Sequence, residues 1–109
     1  MRAPAIGALR HRLVLEPPRD EADGFGGFVR TYVAGPMLWG EIAPVRAADR
    51  FVAGRDEWTL THRVTTRRRD DVRPGVRLRF GVRIFLVHAA RETDARGDRL
   101  VCDCEEIAS

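Results

Sequence analysis

This 109-residue chain predicts an all-β domain, a small antiparallel barrel or sandwich of six to seven strands with a long loop or short helix near 46–56. Three observations carry that prediction. Short runs rich in branched and aromatic residues recur along the whole length, as strands do. A period of two runs through the centre: Trp58, Leu60, His62, Val64 and Thr66 point one way, and Thr59, Thr61, Arg63, Thr65 and Arg67 the other. The runs are separated by Gly, Pro and Asp, the residues that turn a chain. The length is that of one domain, spanning 1–109, on the usual scale of roughly 100–200 residues each.

The elements follow in order. Residues 1–7 hold no apolar stretch long enough for a signal peptide, and no run approaches the ~18 apolar residues of a membrane span. A protein made and used in the cytoplasm, with no membrane partner, is therefore expected. Residues 10–16 form a first strand, ended by Pro17-Pro18 because proline has no N–H for a ladder. Residues 19–27 are polar and then glycine-rich and read as an exposed hairpin loop. A phosphate-cradling loop would need a helix after it, but 28–33 has strand composition. Ala34-Gly35-Pro36 breaks the chain, and 37–45 is the third strand, with Trp39 expected in the core and Pro44 at an edge or bulge.

Residues 46–56 lack alternation and are read as one or two helical turns or a long loop. Phe51 and Val52 are out of place in a solvated loop, so the segment docks either on its own barrel or on another copy. The central strand runs over 57–69 and a turn over 70–75. Alternating 76–80 follows, then Gly81 as a bulge, bend or tight turn, then 82–87 with both faces largely apolar. A charged hairpin turn spans 91–98. The last strand, 99–107, sets Leu100, Cys102 and Cys104 against Val101, Asp103 and Glu105.

Charge is unevenly placed. Net charge is +3, yet the stretch from His62 to Arg83 holds eight Arg and two Asp. A basic meander on an otherwise acidic domain suggests a directed surface. Every one of the 19 basic residues is Arg, which a GC-rich genome explains without any recognition chemistry. Cys102 and Cys104 sit two apart on one strand, where disulfide geometry is rare, and they read as small core residues. A metal would need two further ligands, and His11, His62 and His88 lie on separate elements, so neither metal nor cofactor is expected. No nucleophile–base spacing, zinc motif, Walker loop or framed carboxylate pair is present, and His62 reads as a hydrogen-bonded, half-buried residue. The chain is expected to be a structural or binding module and no enzyme. Arg63, Arg67, Arg69, Arg77, Arg79 and Arg83 suit sequence-independent phosphate contact. The alternative function is thus a nucleic-acid-binding β-barrel, although stacking aromatics and a recognition helix are missing. Pairing with acids of a neighbouring subunit, or mere solubility, explains the same arginines.

Five stretches, in order, resemble the phage head-tail joining family, the small head-closure or stopper proteins of long-tailed phages and gene transfer agents. They are Ile6-Gly7-Ala8-Leu9-Arg10-His11-Arg12, Asp23-Gly24-Phe25-Gly26-Gly27, Trp39-Gly40-Glu41-Ile42-Ala43-Pro44, the strand Thr61 to Arg69, and Leu100 to Glu105. The chain departs from the family's pattern at Arg46-Ala47-Ala48-Asp49, at Arg68 in place of an aromatic, and at Thr66 in place of Ile. The resemblance implies a neck component of a virion or gene-transfer-agent particle, assembled in the bacterial cytoplasm. It implies a ring of copies, six-fold favoured and twelve-fold the alternative. That ring stacks below the portal or adaptor, closes the DNA-filled head and receives a tail terminator or tail tube protein, with double-stranded DNA in its lumen. On that basis Asp49, Arg50, Phe51, Val52 and Arg55 are a candidate subunit-interface or channel loop. The six arginines above are a candidate lumen or inter-subunit face, and Arg10, Arg12 and Phe25 are candidate contacts with partner rings.

Overall fold

The computed structural model describes residues 9–46, 52–53, 58–93 and 97–107, with 52–53 described by their backbone. Among these the regular elements are all strands: β1 (His11–Glu16), β2 (Pro18–Ala22), β3 (Phe28–Tyr32), β4 (Met37–Pro44), β5 (Val52–Ala53), β6 (Trp58–Thr59), β7 (His62–Arg67), β8 (Arg77–Phe80), β9 (Arg83–Glu92) and β10 (Arg99–Ile107). Six close an antiparallel barrel in the order β1-β4-β7-β10-β9-β8, while β2 pairs with β3 and β5 with β6 as separate two-stranded sheets. Closure leaves the barrel without a free edge.

The predicted barrel is present with six strands, and four further strands form the two small sheets outside it. β2 was hidden within the expected loop 19–27: its sequence, Pro-Arg-Asp-Glu-Ala, is exposed at every residue and so carries no alternation. Only 23–27 turns, with Asp23 Oδ1 accepting the N–H groups of Phe25 at 2.7 Å and Gly27 at 3.0 Å. The segment 46–56 is neither helical nor loop at Val52–Ala53, where the backbone is extended and pairs with Trp58–Thr59. Asp49, Arg50, Phe51 and Arg55 lie outside the described residues. The central strand is split, not continuous from 57 to 69. Trp58–Thr59 leaves the wall to pair with β5, while Thr61 keeps its barrel bonds, donating its N–H to Cys104 O at 3.0 Å and accepting Val45 N–H at 2.9 Å.

Trp39 corrects the sequence reading most clearly. It is 48% exposed, because β4 sends Leu38 and Gly40 inward and its odd residues outward. Pro44 sits where β4 pairs with β7 alone, beyond the reach of β1, which is the local edge expected of it. Gly81 forms the tight β8–β9 turn at φ +62°. Gly75, at φ +100°, turns the chain into Val76.

The core is built from alternate residues of facing strands, with Leu13, Leu78, Val64, Phe85, Cys102 and Cys104 among the most deeply buried. Between Asp103 and Cys104 the β9–β10 register shifts so that Cys104 faces Val87 and His88 is the extra residue. The bulge sets Val87 and Ala90 both against the core, opposite Cys104 and Cys102, with His88 and Ala89 between them. Gly40 pairs with His11 on one side and Thr66 on the other. A Cβ there would lie 2.8 Å from Leu13 Cδ1 and 3.0 Å from the Thr65 carbonyl. Gly40→Ala is therefore expected to cost about 1–3 kcal/mol by overpacking, read as a lower urea midpoint at unchanged slope. An unchanged midpoint would mean that both neighbours yield.

Candidate functional site

The ribbon β2–β3 continues the β1–β4 hairpin beyond the barrel. Leu15 N–H donates to Pro36 O at 3.0 Å, Gly35 N–H to Leu15 O at 2.7 Å, and Val33 N–H to Pro17 O at 3.2 Å. The strands approach so closely that a Cβ on Gly35 would stand 2.8 Å from the Leu15 carbonyl oxygen. Below this junction Glu16 is buried, its side chain 8% exposed. Its Oε1 accepts from Arg77 Nη2 at 2.8 Å and its Oε2 from Arg79 Nε at 2.8 Å. Burial alone would raise the Glu16 pKa, but the hydrogen bonds and charges of Arg79 and Arg77 outweigh it and hold it below the ordinary carboxylate value. The Arg77 guanidinium lies 4.0 Å from the Tyr32 ring centroid. Glu16, Arg77 and Tyr32 thus brace the ribbon's base toward β8.

The ribbon's far end is apolar and uncovered: Phe25 is 94% exposed and Phe28 74%. A second uncovered apolar area lies on the wall of β1, β4 and β7. Arg12 faces Trp39 across β1–β4, its guanidinium 5.9 Å from the Trp39 ring centroid. The same register carried to β7 sets Arg67 in line with them. Met37, also half-exposed, joins Trp39 and Arg67 in lining a shallow groove. Of the expected partner contacts, Arg10 is exposed with Glu41 4.0 Å away, Arg12 borders this groove, and Phe25 stands at the ribbon tip. The structure therefore separates Phe25 from the two arginines.

The six arginines of the meander do not form one free basic face. Arg63 donates to Asp103 at 3.3 Å, Arg69 to Asp71 at 2.9 Å, Arg77 and Arg79 to Glu16, and Arg83 to Glu106 at 2.8 Å. Hydrogen bonding from Arg69 is the main cause lowering the Asp71 pKa, and that from Arg83 does the same for Glu106. Of the six, Arg67 alone has no acidic partner among the described residues. The segregation of charge along the sequence is largely pairing within the fold.

The remaining polar groups anchor structure. His62 is buried, with Nδ1 2.9 Å from Thr61 Oγ1 and its ring edge-on to Phe85. Trp58 stacks on the bulge residue His88 at 3.9 Å between centroids, and His88 Nε2 lies 3.2 Å from Glu105 Oε1. This contact ties β6, and through it β5, to the barrel. Cys102 and Cys104 are free, buried thiols. Burial pushes Cys102 up to about 12 and Cys104 well above its ordinary value, so both stay protonated at neutral pH and are poor nucleophiles. Among the described residues no group of three or more His, Cys, Asp and Glu is placed to hold a metal ion.

Missed from the sequence were Trp39 and Met37 as surface residues, Phe28 beside Phe25, and Glu16 as the clamp. Parity was the available signal for Trp39, because it shares the odd positions of β4 with Glu41 while Leu38 and Gly40 face the core. Nothing local marks Glu16, whose partners lie more than sixty residues away.

The described residues thus form a closed barrel with buried, protonated thiols, largely paired charge and two bare apolar areas. The chain belongs to the phage head completion protein family, whose model matches residues 4–107. A chain of the virion of a native gene transfer agent particle is 29% identical, with a TM-score of 0.68 over 93% of this chain and 97% of that one. Protein SF1141 from Shigella flexneri 2a, solved in solution, is 25% identical, with a TM-score of 0.70 over 95% of this chain and 97% of that one. No curated protein sequence matches it as a relative. The protein is thus a structural component of a virion-type particle, acting in head closure and assembling with other particle proteins; it is not an enzyme.

Proposed function

We propose that copies of this chain form a ring at the head exit, six-fold favoured and twelve-fold the alternative. In this reading the ring sits below the portal or adaptor, retains the packaged double-stranded DNA and offers its far side to a tail terminator or tail tube protein. The observation that carries it is membership of the head completion family over 4–107 in a chain whose ribbon holds Phe25 and Phe28 bare to solvent. A monomer gains nothing from such exposure, whereas an assembly covers it. Asp49, Arg50, Phe51, Val52 and Arg55 are the candidate subunit-interface or channel loop in this reading; of these only the backbone of Val52 lies among the described residues, paired with Thr59. Arg67, whose charge has no acidic partner among the described residues, is the arginine of the six left to meet either DNA in the lumen or the acids of a neighbouring copy.

The pairing of the other five arginines argues against an independent nucleic-acid-binding barrel. Free guanidinium groups are what release counterions from DNA, and few remain. Deleting the gene and imaging particles by electron microscopy tests the proposal. Full or leaking heads beside free tails are expected, and an image of the wild-type neck should resolve the ring. Normal tailed particles from the deletion strain would discard the reading.

A further inference from the structure

From the ribbon tip and the β4 wall we infer a single contact: the tip of one copy docks on the Trp39 groove of the next. This rests on the ring reading and assigns its subunit interface. Phe25 and Phe28 at the tip are 94% and 74% exposed, and Trp39 and Met37 on the wall are 48% and 42% exposed. Each apolar area lacks cover among the described residues. The two are also matched in charge. Glu21 and Asp23 flank the tip aromatics, while Arg12 and Arg67 flank Trp39. Trp and Arg side by side are the residue types that dominate binding energy at protein interfaces.

Among the described residues the contact is not made within one chain, where Phe25 stays 94% exposed, and the geometry suits it between two. Tyr32 over Arg77 leans the ribbon's base toward β8, whereas the groove lies on the other side of β1, on β4 and β7. The five-residue strands of the ribbon reach about 17 Å, enough to cross to an adjacent barrel. Tip and groove are different surfaces of one molecule, so their union is head-to-tail and closes a ring when the rotation per copy divides a full turn.

The test is a cysteine pair in assembled particles. The native thiols Cys102 and Cys104 are buried and do not compete for a short bis-maleimide. Phe25→Cys with Trp39→Cys, treated with that reagent, is expected to give a ladder of covalent multimers ending at the ring number, while either single variant stays monomeric on a denaturing gel. A neck ring seen by electron microscopy without a ladder would overturn the contact and leave the ring reading standing. Multimers from Phe25→Cys alone would set tip against tip and overturn it equally. Wild-type necks with no ring of this chain would end both. Both positions are exposed, so the variants should fold.

Discussion

Glu16→Ala will lower the stability of this protein by about 3–5 kcal/mol, a large share of the roughly 5–15 kcal/mol that a domain this size possesses. The carboxylate is buried between Arg77 and Arg79 and is the only acidic group that ties either of them down among the described residues. Its removal strands two partly buried guanidinium groups, which costs more than the pair's own attraction. The ribbon should suffer with the barrel, because Arg77 also carries Tyr32. Trypsin cleavage after the exposed Arg19 and Arg30 should accelerate before global unfolding. The pH dependence has a definite sign. The native pKa of Glu16 lies below its ordinary 4.5, so the unfolded chain binds more protons there. The stabilisation is complete above 4.5 and is lost as pH falls through the depressed native value; Asp71 and Glu106 add in the same direction. Urea midpoints against pH should therefore drop on the acid side, and Glu16→Gln should flatten that drop. An alanine variant with wild-type stability would mean that Arg77 and Arg79 find solvent without cost.

Phe85→Ala should cost a comparable amount, about 3–5 kcal/mol, by the transfer and cavity terms of a deleted core aromatic. The ring is fully buried. It meets the His62 ring at 5.0 Å, and the Arg83 guanidinium stands 5.0 Å from its centroid. Arg83 in turn donates to Glu106, so the ring underlies a polar cluster that joins β7, β9 and β10. Phe85→Leu refills most of the space and should recover most of the loss. Equilibrium urea unfolding of the pair of variants gives the comparison. A loss below about 1 kcal/mol for alanine would mean that the site collapses without a cavity.

Period and punctuation were enough for the barrel. Leu60, His62, Val64 and Thr66 are buried as their alternation requires, and Leu100, Cys102 and Cys104 line the same interior from β10. Gly75 and Gly81 turn where their freedom at positive φ is needed. The family was legible for the same reason: its short ordered motifs lie on strands and turns that local chemistry already specifies. The docking areas were legible only in part. Phe25 was marked by its glycine-rich turn, but the strand leading into that turn was not, because an all-exposed strand has no hydrophobic period.

What the sequence by itself determined was therefore the all-β class, the inward faces of β7, β8 and β10, and the family. These depend on residues within a few positions of one another. Tertiary structure decided which arginines carry usable charge, because the acids of Arg63, Arg77, Arg79 and Arg83 come from β1 and β10, far away in sequence. It also decided that Trp39 belongs to the surface. An aromatic's burial is set by whether its strand's parity meets the core, and that follows from pairing β4 between β1 and β7.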